Sequence, residues 1–145
     1  MSYTTNETAL ANLIIANITG YTSSNTKCGE ADTAFNYAVQ NNKNVCILDP
    51  YGATDDSQTD TFGQQDNWMW NILVTFFLSY NKDTIETDVR TLKDSFTNMR
   101  RDNKRLSTGC VWRIREEREF QPQATKYSTR PYVPVMWVIA IKEPL

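Results

Sequence analysis

With 145 residues the chain is long enough for one domain with a sizeable core, and 40% hydrophobic against 22% charged residues is a globular rather than a disordered composition. Histidine is absent, which removes the commonest general base and metal ligand, and Cys28, Cys46 and Cys110 are too few and too widely spaced for a disulfide framework or a zinc site. No apolar run reaches the roughly 18 residues of a membrane helix, so no membrane partner is expected.

The N-terminal Met-Ser-Tyr-Thr-Thr-Asn-Glu lacks the basic start of a secretion signal. Net charge is −2, but it is unevenly placed. Residues 1–89 hold 3 basic and 11 acidic side chains, a balance of −8, and residues 90–145 hold 12 basic and 6 acidic, a balance of +6. If the fold keeps the halves apart, two charge poles result that can steer partners, including further copies of the chain. If it interleaves them, no pole survives.

In chain order, Thr8 to Ile18 carries Leu10, Leu13, Ile14 and Ile18 at helical spacing, ended by Gly20. Tyr21 to Gly29 is polar and aperiodic and reads as loop. Glu30 to Asn41 has a weaker helical stripe of Ala31, Ala34, Phe35, Ala38 and Val39. Asn44 to Asp49 reads as a short strand stopped by Pro50. Tyr51 to Asn67 is a long polar loop, of the kind that carries contacts.

The most ordered pattern lies between Trp68 and Leu106. From Trp68 to Tyr80 every even position is apolar or aromatic, which predicts a strand with Trp68, Trp70, Ile72, Val74, Phe76, Leu78 and Tyr80 on one face. The period then changes to that of a helix over residues 84–100, with Ile85, Val89, Leu92, Phe96 and Met99 as its stripe. Asp83 is the expected N-cap, with Glu86 as capping-box partner. Arg100, Arg101, Lys104 and Arg105 crowd its C-terminal end, where cations suit the helix dipole.

After a turn at Leu106 to Gly109, residues 110–119 alternate as a strand. Cys110, Trp112 and Ile114 are expected on one face, and Val111, Arg113, Arg115, Glu117 and Glu119 on the other. Tyr132 to Lys142 closes the chain as a strand apolar on both faces, with Pro134 near its start or on an edge. The expected fold class is α+β, a two-layer sandwich. A mostly antiparallel sheet is covered by the long amphipathic helix and the N-terminal helix, in a single domain over residues 1–145.

Patterns that carry chemistry are sparse. Gly52 and Gly63 are isolated, so no phosphate loop is formed. Asp55, Asp56, Asp60 and Asp66 lack the EF-hand spacing and read as a solvated loop. Ser107 and Cys110 have no histidine to activate them. Glu116 and Glu117 fall on opposite faces of a strand and make a poor acid/base pair. Arg113, Arg115 and Arg118 alternate with Glu116, Glu117 and Glu119, which fits salt bridges between proteins better than a phosphate groove. Arg113, Arg115, Glu117, Glu119 and Arg118 are therefore candidate interface residues, together with Asp55 and Asp56 in the loop. No cofactor, metal or catalytic residue is expected.

The order of elements resembles the tail terminator (tail completion, neck) proteins of long-tailed bacteriophages. The resemblance is carried by the helix Thr8–Ile18, the strand "WNILVTFFLSY" of residues 70–80 and the helix "TIETDVRTLKDSFTNM" of residues 84–99. The strands "VWRIREERE" of 111–119 and "YVPVMWVIAIKE" of 132–143 complete it. It covers most of residues 8–143 as a pattern without a signature motif, and the segment 21–66 is longer than the family's usual one.

The resemblance implies a non-enzymatic structural virion protein. Such proteins form a homo-oligomeric, hexameric ring at the head-proximal end of the tail tube. Its partners would be the tail tube protein and the head–tail connector proteins, with non-specific contact to passing DNA. Its place would be the virion, and the host cytoplasm during assembly. The alternatives are another head–tail connector or minor tail protein, or a cellular protein-binding domain.

Overall fold

The computed structural model describes residues 3–41, 44–51 and 70–142. The elements in order are α1 (Tyr3–Asn17), β1 (Thr26–Cys28), α2 (Ala31–Asn41), β2 (Val45–Pro50), β3 (Trp70–Ser79), α3 (Ile85–Asp102), β4 (Val111–Glu119) and β5 (Tyr132–Lys142). Trp68, Asp55, Asp56 and the rest of the expected loop beyond Tyr51 lie outside the described residues. The fold is α+β, as the periodicities predict. Five strands form one sheet in the order β1-β2-β3-β5-β4, antiparallel throughout except for the parallel pair β1 and β2.

The alternation of β3 sorts its side chains onto two faces. Trp70, Ile72, Val74, Phe76 and Leu78 join Cys46, Leu48, Trp112, Val135, Trp137, Ile139 and Ile141 in the main core. Helix α3 lays Val89, Leu92, Phe96 and Met99 on that face, and α1 adds Leu10 and Ile14 beside it, with Ile18 just past its end. Phe96 is the hub. Its ring stacks on Trp137 with centroids 4.1 Å apart and meets Phe76 and Trp112 edge-on. The indole N–H of the buried Trp112 donates to the Asn103 carbonyl at 2.7 Å, so its polar atom is satisfied.

Helix α2 packs on the other face. Ala34, Phe35 and Ala38 meet Val45, Ile47 and Tyr132, and Tyr127 stacks on Phe35 at 4.5 Å. This small second cluster covers one corner of the sheet. The larger layer of α1 and α3 covers the first face.

Three local differences from the sequence reading have physical causes. The segment expected as loop holds β1, whose three residues are too short to show a period. Helix α1 starts at Tyr3, five residues before the expected Thr8. Its polar first turns are built in: Asn6 is buried, and its side-chain oxygen accepts from the Thr108 hydroxyl at 3.1 Å.

The cap of α3 is not Asp83. The residue preceding the helix is Thr84, with no side-chain capping bond. One turn earlier, the Asn81 side-chain oxygen accepts from the Asp83 N–H at 3.1 Å, and the Asn81 carbonyl accepts from Ile85 N–H at 2.9 Å. Asn81 thus closes a turn ahead of the helix with its side chain, and its backbone carbonyl takes the first helical N–H.

Pro134 sits in the interior strand β5, third from its start. Its carbonyl accepts from Phe120 N–H at 3.0 Å, so its own nitrogen also faces the β4 side. Strand β4 ends at Glu119, one residue short of the position where a proline cannot donate. The turn after α3 closes through Gly109 N–H to the Leu106 carbonyl, with Gly109 at φ 86°.

Candidate assembly interface

Strand β4 is one edge of the sheet and β1 is the other. Apart from one bridge between Arg105 and Val111 at its start, no strand among the described residues pairs with the outer side of β4.

The charged residues of β4 do not share one face. Trp112 pairs with Ile141 and Ile114 with Ile139, but the next pair is Glu116 with Val138. Arg115 is the extra residue of a β-bulge, and beyond it the alternation is inverted. Arg113 opposite Ala140, Glu116 opposite Val138 and Arg118 opposite Met136 lie on the face away from α3. Glu117 opposite Trp137 and Glu119 opposite Val135 lie on the α3 face. The expected common face of Arg113, Arg115, Glu117 and Glu119 is thus corrected: a one-residue slip moves the glutamates to the opposite side. Nothing at Ile114 to Glu116 signals this, since neither glycine nor proline marks the bulge.

The two sets are anchored differently. Arg115 donates from Nη1 to the Asn71 side-chain oxygen of β3 at 3.2 Å, reaching across β5. The small Ala140, opposite both Asn71 and Arg113, leaves room for that crossing. Arg118 pairs with Glu116, two residues away on the same face. On the other side, Lys93 of α3 bridges to Glu119 at 2.9 Å, and that bond raises the lysine pKa. Arg113 and Glu116 are half-buried, whereas Arg115, Glu117, Arg118 and Glu119 are exposed. Glu116 and Glu117 do fall on opposite faces, as expected.

The opposite edge is acidic, whereas β4 balances three arginines against three glutamates. Around the end of β1 stand Glu7, Glu30 and Asp49, whose fields, after burial itself, push the Cys28 thiol up to about 11. Glu7 is 7% exposed, and burial followed by the Asp49 charge raises its carboxyl pKa. Asp32 at the start of α2 accepts from the Tyr127 hydroxyl and lies 3.6 Å from Lys126, which together lower its pKa. Lys27 is the basic residue of β1.

Five strands at about 4.8 Å spacing put the two edges roughly 19 Å apart. The first, acidic half of the sequence therefore supplies one edge, and the second, basic half supplies the other. Sequence reasoning found the charge split and the β4 edge. It did not find the β1 edge, because that strand was not legible.

No helix among the described residues is long and apolar enough to cross a membrane. Compared with protein-family models, with curated proteins and with solved structures, the chain finds no match.

Proposed function

We propose that the protein is a ring-forming structural component of a phage tail, which caps the head-proximal end of the tail tube and presents a surface to the head connector. The observation that carries this reading is the pair of unlike sheet edges among the described residues, acidic around β1 and, at β4, balanced in charge with its arginines gathered on one face. Contacts between unlike patches of identical subunits are heterologous, and such contacts generate a ring when the rotation closes. A charged edge with a bulge resists indiscriminate strand pairing. In this reading the permitted contact is β4 of one copy against the β1 side of the next, made through side chains.

Capping then follows from having two different ring faces. One face reproduces enough of the tube's stacking surface to bind the last tube ring. The other face lacks the next docking site, so growth stops. The helix layer of α1 and α3 and the α2 corner lie on opposite faces of the sheet and supply two such dissimilar surfaces. The pattern shared with tail terminator proteins sets the expected stoichiometry at six.

Native mass spectrometry and electron microscopy of the purified protein test the ring, with closed hexamers as the expected result. Addition to polymerising tail tube protein from the same virion tests capping, and tubes should stop growing at one end. A protein that stays monomeric both alone and on the virion overturns the reading.

A further inference from the structure

A cleft of about 310 Å³ opens in the helix layer between the C-terminal end of α1 and the first half of α3. Its apolar lining is Ile18, Leu78 and Leu92, and its α3 wall carries Asp88, Thr91 and Ser95. Two features give the cleft a negative character. Helix α1 runs 15 residues and has no basic residue in its last turn, so apart from the neutral Asn17 amide, which donates to the Leu13 carbonyl at 2.8 Å, none of its own side chains offsets the negative end of its dipole beside Ile18 and Thr19. Across the cleft, the Thr84 hydroxyl donates to Oδ2 of Asp88 at 3.0 Å, leaving Oδ1 as an acceptor. Among the described residues no basic side chain is in the lining.

Tyr21 adds a directed polar group. The Asn44 carboxamide is oriented by Ser79, whose backbone N–H donates to Oδ1 at 2.9 Å. The amide nitrogen is then the atom turned to the buried Tyr21, where it lowers the phenol pKa against the larger effect of burial. That leaves the hydroxyl oxygen a lone pair to accept from a guest. Burial raises the Tyr21 pKa far above its ordinary value, so the phenol stays protonated.

We propose that this cleft receives a single lysine or arginine side chain from a docking protein. The aliphatic stem lies against Ile18, Leu78 and Leu92, and the cationic head meets Asp88 and the end of α1. Only lysine and arginine combine a long apolar stem with a charged tip. A carboxylate would be repelled by Asp88 and by the helix end. A wholly apolar side chain would strip water from Tyr21, Thr91 and Ser95 without replacing their hydrogen bonds. The site lies between helices and not on the sheet edges, so it stands or falls separately from the ring.

Saturation-transfer NMR with short peptides tests this, and it reads peptide signals whether or not the protein is assembled. The probes are acetyl-Gly-Arg-Gly-amide, its lysine counterpart, and the norleucine and glutamate versions as controls. The arginine and lysine peptides should bind, with the strongest transfer to the stem methylenes, and the norleucine and glutamate peptides should bind far more weakly. Asp88→Asn should weaken the cationic peptides by about fivefold, as expected for a partly solvated ion pair. Asp94→Asn, on the exposed side of the same helix, should leave them unchanged. Equal binding of the norleucine peptide, no binding of the cationic ones, or an Asp88→Asn variant that binds as well as the parent would overturn the proposal.

Discussion

Phe96 and Glu7 show the two ways a single residue sets stability here. Phe96 is fully buried and touches the rings of Phe76, Trp112 and Trp137, so its removal leaves a cavity walled by rigid aromatics that cannot collapse into it. Phe96→Ala is expected to cost about 3–5 kcal/mol, measured by urea denaturation. Glu7 acts in the other direction. Its folded-state pKa is raised, so between the unfolded and folded values the native state binds more protons than the unfolded chain. Stability contributed by this group therefore falls as pH rises through that window. Glu7→Gln should be more stable than the parent at pH 7, and the advantage should shrink on acidification and vanish below the ordinary glutamate pKa. Denaturation midpoints of both proteins across that range check the sign. An equal difference at all pH values would mean that the ionised carboxylate is not the cause.

Among the elements, legibility follows length and regularity. Strand β3, helix α3 and strand β5 were readable because ten or more residues repeat one period, and their cores fall where that period puts them. Strand β1 has three residues and no period to detect. The bulge at Arg115 was equally hidden, because the residues on either side of it alternate well in sequence. That one extra residue changed the reading of the candidate interface from a face of mixed sign to an arginine-rich face and a separate glutamate face. Local hydrogen bonds also decided the start of α3, where an acidic residue at position 83 suggested a cap and the structure instead has a turn closed by the Asn81 side chain. Asn81→Ala, which removes the bond to the Asp83 N–H, should therefore cost about 1 kcal/mol. Asp83→Ala should stay within about 0.5 kcal/mol of the parent, as for an exposed residue without a special role. Thermal melts of the two variants separate the assignments, and the reverse order would return the cap to Asp83.

For the whole molecule, the topology places strands from the acidic half and from the basic half of the chain at opposite edges of the sheet. Strands from the acidic half occupy one edge because β1 and β2 pair beside β3, and β4 from the basic half is carried to the other edge beyond β5. If unlike edges drive head-to-tail assembly, the charges can be exchanged and still close a ring. A variant with Arg115→Glu and Arg118→Glu has two acidic edges. A second variant with Glu30→Lys and Asp49→Lys has a basic β1 edge and keeps the arginine face of β4. Neither should assemble alone, because every contact it can make sets like charges together. Mixed in equal amounts they should form rings in which the two kinds alternate, since each contact is again between unlike edges, and six positions allow strict alternation. Native mass spectrometry would read the composition directly, and circular dichroism of each variant alone would confirm that both fold. Arg115→Glu also removes the bond to Asn71, so a modest loss of stability is expected in the first variant without loss of fold. Added salt should weaken the mixed rings, because exposed charges are screened over about 8–10 Å at ordinary ionic strength. Rings formed by either variant alone, or folded variants that do not assemble when mixed, would show that the sheet edges are not the contact.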